Sequence, residues 1–352
     1  MFKPYNPLEI AMSEEHVLIS VNPKAGRKSS QERAEILKTA LEDFGFKVEL
    51  HDNLDIVAKR ANELMENKLL RALVGVGGDG TAAELTNRTK PGTPITLLPA
   101  GTANLIAKYL KLPSCPRKLA SVINEGATIT FDAGNANGRL FLVMVSAGID
   151  ADVVRRVHAM REENYRLNKK KGAHISYCSY IKPIFQSIAS YRYSRIKMQY
   201  LANSSAQEVD NISVDERFEK NQEYTRQLTG KWGFVFNLPR YGWGLPLVPK
   251  CIGNDKKLDY CLFQGGRLCL ALLDVAFAQF FSAHRILPNA RLGQSGYFRL
   301  TVANSTEPGE VPYQIDGDPG GVLPLNIEVI PNRFTVVAPQ KTVARLQRKK
   351  SE

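Results

Sequence analysis

The sequence predicts an N-terminal three-layer α/β domain joined to a C-terminal β-sandwich-like domain. Three observations predict it. Up to about residue 130, short apolar strands alternate with amphipathic helices, the pattern of a parallel sheet covered on both faces. Glycine-bearing loops follow three of these strands, where such sheets bind ligands. Beyond Phe131, apolar runs of strand length dominate, as in an antiparallel β domain. The expected division is residues 1–130, 131–340, and a basic tail at 341–352, helical or disordered, that packs on the first domain.

Taken in order, residues 17–21 (VLISV) form a buried strand that runs into the turn-rich Asn22-Pro23-Lys24-Ala25-Gly26. A helix follows, capped by Ser29 or Ser30, with Ala34, Leu37, Leu41 and Phe44 on its apolar face and Gly45 ending it. Residues 46–50 form a second strand. Asp55 caps a second helix that turns Val57, Ala61, Leu64 and Met65 inward. Residues 71–76 lead into a glycine loop, and a strand from residue 95 leads into Ala100-Gly101-Thr102 and another helix. In the second half, residues 140–145, 233–238, 258–263, 297–303, 325–330 and 334–338 read as strands. Helices are expected within 168–191 and 268–284, and residues 203–229 as an exposed loop or insertion.

Composition narrows the function. With 43% hydrophobic and 23% charged residues, the chain has the makings of real cores, which excludes global disorder. A formal charge of +12 attracts nucleic acid, anionic membrane or phosphorylated small molecules. No zinc finger or RNP motif argues for nucleic acid. The five cysteines are scattered without a C-x-x-C pair, and the five histidines lack ligand spacing, so a disulfide framework and structural zinc are not expected. Residues 1–15 lack the apolar core of a signal peptide. The most apolar stretch, Leu268–Phe281, is short for a bilayer and contains Asp274. The expectation is a cytoplasmic protein that approaches membranes transiently from the water side.

The strongest chemical signal is Gly75-Val76-Gly77-Gly78-Asp79-Gly80-Thr81. Glycines let amide N–H groups approach anionic oxygens, and the following helix points its positive end to the same place. Thr81 adds a hydroxyl, and Asp79 suits a cation or a proton transfer. The segment also fits G-x-G-x-x-G, a weak dinucleotide signal, and it is not a Walker A loop, since no Lys-Ser/Thr follows. Taken alone, Asn22–Gly26 reads equally as a plain turn. Asp316, in Asp-Gly-Asp-Pro-Gly-Gly, reads locally as a hairpin turn.

Together these stretches resemble the diacylglycerol kinase catalytic-domain family, which includes soluble bacterial lipid kinases and the sphingosine and ceramide kinases. Asn22-Pro23-Lys24-Ala25-Gly26, Gly77-Gly78-Asp79-Gly80-Thr81, Leu98-Pro99-Ala100-Gly101-Thr102-Ala103-Asn104 and Gln314-Ile315-Asp316-Gly317-Asp318 match its motifs in order. Weaker echoes are Ala147-Gly148-Ile149-Asp150, Tyr241-Gly242-Trp243-Gly244 and Leu258-Asp259. The resemblance implies an NAD kinase-like first domain and transfer of the γ-phosphate of ATP to a lipid hydroxyl. It implies a nucleotide site of Asn22, Pro23, Lys24, Ala25, Gly26, Gly77, Gly78, Asp79, Gly80, Thr81, Ala82, Ala83, Gly101, Thr102 and Asn104. Asp316 is implied as general base, with Asp79 and Asp318 beside it, and Mg²⁺ as companion of ATP. A structural Mg²⁺ is implied at Asp255, joined by the carbonyls of Ile252 and Lys257. Partners are then ATP, a lipid substrate and an anionic membrane, reached through Lys169-Lys170-Lys171 or a tyrosine edge at Tyr177, Tyr180, Tyr191 and Tyr193. A homodimer is compatible with it, and nucleic acid is not expected.

The chain departs from the family pattern at four places. Asp318 replaces a glutamate, Ala83 an asparagine, Leu105 an aspartate and Lys256 a glycine. These departures keep a catalytically degenerate regulator open as an alternative. An NAD kinase-like enzyme is the other.

Overall fold

The computed structural model describes residues 15–21, 28–168, 181–190, 194–202, 212–242, 247–264, 290–304 and 310–351. The first part runs β1 (His16–Val21), α1 (Lys28–Glu42), β2 (Lys47–His51), α2 (Leu54–Glu66), β3 (Leu70–Gly77), α3 (Asp79–Arg88), β4 (Pro94–Pro99), α4 (Leu105–Leu110) and α5 (Pro116–Glu125). Then come β5 (Thr128–Ala136), β6 (Arg139–Phe141), β7 (Met144–Ala147), α6 (Ile149–Asn168), α7 (Ile181–Ser190), β8 (Ile196–Leu201), α8 (Val214–Lys220), β9 (Thr225–Gly230), β10 (Trp232–Phe236) and β11 (Leu258–Phe263). The order ends with β12 (Ala290–Ser295), β13 (Tyr297–Val302), β14 (Pro312–Ile315), β15 (Asp318–Val322), β16 (Leu325–Val337) and α9 (Gln340–Ser351).

Alternation along β1 shows how the three layers arise. Successive side chains of a strand point to opposite faces. Val17 and Ile19 pack with Leu37 and Leu41 of α1 and Leu119 and Ile123 of α5. Leu18 faces the other way, into the cluster of Val57 and Leu64 of α2 and Leu85 of α3. The strands β2, β1, β3 and β4 pair in parallel, as βαβ crossovers require.

The sheet does not stop there. β16 lies parallel to β4 and antiparallel to β5 and β13, and the sheet continues through β8 to β9. A second, antiparallel sheet runs β12-β11-β10-β7-β14-β15. Val145, Val235, Leu258 and Ile315 from it meet Phe298, Leu300, Leu325 and Ile327 from the first sheet, forming the sandwich core. The expected boundary at residue 130 falls inside β5, one of the strands joining the two regions.

Several expectations change. α1 begins before Ser30, which is buried within the helix, so serine does not cap it as expected. Phe44 is 42% exposed because α1 ends at Glu42, and Phe46 takes the core position after the left-handed Gly45. Asn53, not Asp55, caps α2, accepting the backbone N–H groups of Asp55 and Ile56. The polar segment 203–229 contains α8 and the start of β9, in its described part from residue 212, because Phe218 anchors it against Leu201 and Tyr297. The expected strands 325–330 and 334–338 are one strand with a bulge. The tail is a helix whose Val343 and Leu346 enter the main core. The helix expected within 268–284, Lys169–Lys171 and the four tyrosines Tyr177, Tyr180, Tyr191 and Tyr193 lie outside the described residues.

Asp132 on β5 holds three chain segments. Its buried carboxylate accepts the N–H of Lys256 at 2.7 Å and of Asn332, in the β16 bulge, at 2.9 Å. Its backbone N–H donates to Gly253 O at 2.7 Å. From the same bulge, Arg333 donates to the carbonyls of Thr86 and Thr89 at the end of α3, where helix carbonyls lack internal partners. Asp132→Asn keeps the shape but turns one acceptor into a donor facing an N–H. The expected cost is about 1–3 kcal/mol of stability, read from urea unfolding midpoints.

Candidate functional site

Two glycine loops meet backbone to backbone at the carboxyl ends of β3 and β4. A Cβ added to Gly101 would lie 2.8 Å from Gly78 Cα, and Ala100 N–H donates to Gly77 O at 2.9 Å. A Cβ at Gly77 would fall 2.1 Å from Thr81 Oγ1, so only glycine lets α3 start this close to β3. Gly80, by contrast, faces nothing within 4 Å. The first turn of α3 therefore opens to space, with its N–H groups at the positive end of the helix.

Asp79 does not point into that space unattached. One oxygen accepts the N–H of Leu105 at 2.9 Å, the other that of Ile106 at 2.8 Å, so it caps α4 from across the site. Burial raises its pKa, against the lowering by these bonds and by Lys108. Asn104, left-handed at φ +49°, closes on its own loop: Oδ1 accepts Gly101 N–H at 3.0 Å and Nδ2 donates to Gly101 O at 2.8 Å. Ala82 and Ala83 turn their side chains into the core, and the Ala82 N–H donates to Gly78 O at 3.3 Å. Thr81 is also buried.

The second carboxylate arrives on the β14–β15 hairpin. Asp316 and Gly317 take positive φ, +48° and +89°, which the tight turn demands. The Asp316 carboxylate accepts three consecutive backbone N–H groups, from Leu142 at 2.7 Å and from Val143 and Met144 at 2.9 Å. Its pKa nonetheless rises to about 6: burial outweighs these bonds, and the negative charge of Asp79 pushes it further. That last influence places the two carboxylates within electrostatic reach of each other, one from each region of the chain.

Behind the turn, Gln314 is fully buried. Its Oε1 accepts Gly317 N–H at 2.7 Å, while Nε2 donates to Ser146 Oγ at 2.9 Å and Asp150 at 3.3 Å. Asp150 also accepts from Ser146 Oγ at 2.5 Å and from the Tyr241 hydroxyl. Burial raises the pKa of Asp150 against these hydrogen bonds. The weaker echoes around Asp150 and Tyr241 thus form a support for the Asp316 turn. Asp318 is more exposed and pairs with Arg139 at 3.2 Å, which also lies 3.6 Å from Glu84 on α3. Asn87 of α3 exchanges two hydrogen bonds with the Leu140 backbone. Neither Arg139 nor Asn87 carries a motif, and no sequence signal points to them.

Asn22, Pro23, Lys24, Ala25 and Gly26 lie outside the described residues. Asp255 accepts the N–H of Lys257 at 3.2 Å and Gln294 Nε2 at 3.4 Å. Among the described residues no three His, Cys, Asp or Glu side chains form a metal-binding group. A hard cation asks for converging oxygens. Here N–H donors face the Asp255 carboxylate.

Residues 16–136 match the model of the diacylglycerol kinase catalytic domain. Diacylglycerol kinases of Staphylococcus saprophyticus and Staphylococcus carnosus are 29% and 30% identical over 136 and 138 residues. Those matches take in 37% of this chain and 44% of each relative, less than half of either. A diacylglycerol kinase structure from Bacillus anthracis superposes with a TM-score of 0.62 at 19% identity, covering 93% of this chain and 98% of that one. Another structure from the same organism reaches 0.65 at 19% identity, covering 96% and 100%. These likenesses establish the two-region fold across nearly the whole chain.

Gly101→Ala tests the loop contact. Its methyl group meets backbone that no rotamer change relieves. The expected loss is about 1–3 kcal/mol, measured by denaturant unfolding.

Proposed function

We propose that the protein is an ATP-dependent lipid kinase that moves the γ-phosphate to a lipid hydroxyl. The observation that carries this reading is the meeting of the paired glycine loops with Asp79 and Asp316 at one site. Phosphoryl transfer asks mainly for positioning and charge stabilisation. The open first turn of α3 turns the positive end of a helix toward phosphate oxygens, as helix N-termini do. Gly77, Gly78, Gly80, Thr81, Gly101 and Thr102 shape the nucleotide side, with Asn22–Gly26 expected beside them.

In this reading Asp316 takes the proton of the acceptor hydroxyl. That oxygen then bonds to the γ-phosphorus as the bond to the ADP oxygen breaks. Three amides occupy three of the roughly four lone-pair positions of a carboxylate, leaving one for the hydroxyl. A pKa near 6 suits a base at neutral pH. Asp79 fixes α4 and, in the same reading, orients the nucleotide. Mg²⁺ bound to ATP would neutralise its phosphates. The acceptor is a diacylglycerol, sphingoid base, ceramide or related lipid alcohol, and the protein meets it at a membrane surface. Among the described residues no helix is long and apolar enough to cross a membrane.

The test is to incubate the protein with Mg²⁺ and γ-labelled ATP over a panel of dispersed lipids, with NAD included. Labelled lipid is expected. Labelled NAD would move the protein to the NAD kinases, and ATP binding without product would make it a regulator. Asp316→Asn should lower kcat by about 10²–10⁴-fold while ATP binding persists. If Asp318→Asn abolished turnover and Asp316→Asn spared it, Asp318 would be the proton acceptor. The base must be deprotonated, so kcat should fall as pH drops through about 6, and a pH–rate profile reads this directly.

A further inference from the structure

A second feature lies at the far end of α4. A groove of about 870 Å³ runs between α4, the loop after β10 and α9. Six cations line it: Lys108, Lys111, Arg240, Lys341, Arg345 and Arg348. No acidic side chain lines it among the described residues. Its floor is partly apolar, with Tyr109 and Leu346 buried beneath the charges. Lys341, Arg345 and Arg348 recur at i, i+4 and i+7, so one face of α9 is cationic while Val343 and Leu346 hold the helix to the core.

We infer that this groove is where the protein docks on an anionic phospholipid surface. Charge complementarity names the occupant. Cations strung along a helix face match headgroups spread over a surface, and apolar floor beside them suits the headgroup–acyl boundary. A free phosphate would call for a compact cup of converging donors instead. The position matters for the reaction. α4 is six residues long, roughly 9 Å, and its other end is capped by Asp79. A bilayer seated on the groove would lie within a short helix length of the catalytic carboxylates. The inference rests on the lipid-kinase reading only for its purpose, since docking itself requires neither ATP nor turnover.

The experiment is vesicle sedimentation of the full chain without ATP, comparing phosphatidylcholine with phosphatidylcholine–phosphatidylglycerol vesicles. Binding is expected only to the anionic vesicles, weakening about fivefold per basic residue removed. Lys341→Glu/Arg345→Glu/Arg348→Glu should then abolish it. Arg345 also donates to Tyr109 O at 3.3 Å, so that variant risks the fold. Lys111→Gln/Lys341→Gln, both at exposed positions, is the second variant, with a loss of about 25-fold expected. Unchanged binding by a folded variant overturns the inference, as does absence of binding by the unaltered chain. Displacement by inorganic phosphate, beyond that by chloride at equal ionic strength, would assign the groove to a free anion and overturn it as well. Docking without lipid phosphorylation would leave this inference standing and remove the kinase reading alone.

Discussion

Both carboxylates at the site are held by backbone N–H groups, and this arrangement organises everything around them. Asp316 gathers the amides of 142–144 and thereby fastens the β14–β15 hairpin to the chain entering β7. Asp79 gathers those of Leu105 and Ile106 and fastens α4 to the glycine loop. Among the described residues, neither is held by an arginine or lysine salt bridge. Amide dipoles fix a carboxylate without cancelling its charge, so each still acts on the other, and Asp316 is left with its affinity for protons raised.

The supports behind these groups come from both regions. Asp150, Ser146 and Gln314 steady the Asp316 turn from within the second sheet. Arg139 and Asn87 tie α3 to the β5–β6 hairpin, with Arg139 reaching Asp318 as well. The cleft is thus spanned by hydrogen bonds and an ion pair, not only by apolar packing. The positions of Asp79 and Asp316 relative to each other depend on these polar links.

Much of the fold was legible in the sequence because the governing rules are local. Period-2 and period-3.6 patterns mark β1, α2 and β3, and glycines mark places where backbone meets backbone. Gly77 and Gly101 are readable for that reason: no other residue fits. What could not be read depends on distant partners. Nothing near Asp79 in sequence announces that it caps a helix beginning 26 residues later. Arg139 finds Glu84 and Asp318 only after both regions fold. Asn53 and Asp55 are both sound caps, and geometry alone selects Asn53. Segment 203–229 reads as an exposed loop or insertion because it is polar and weakly patterned, while a few residues such as Phe218 anchor its described part.

The placement of β16 has a consequence for how the chain comes to be made. Among the described strands it alone flanks β4 on the side away from β3, yet it is built from residues 325–337. During synthesis the strands β1 to β4 emerge first and wait, with β4 as an uncovered edge, while some two hundred further residues are added. That interval exposes a strand reading Ile-Thr-Leu-Leu to other nascent chains. Closing the gap is a long-range contact and therefore a slow one. Growth conditions that change translation speed or chaperone supply should govern how much of this protein reaches its folded form.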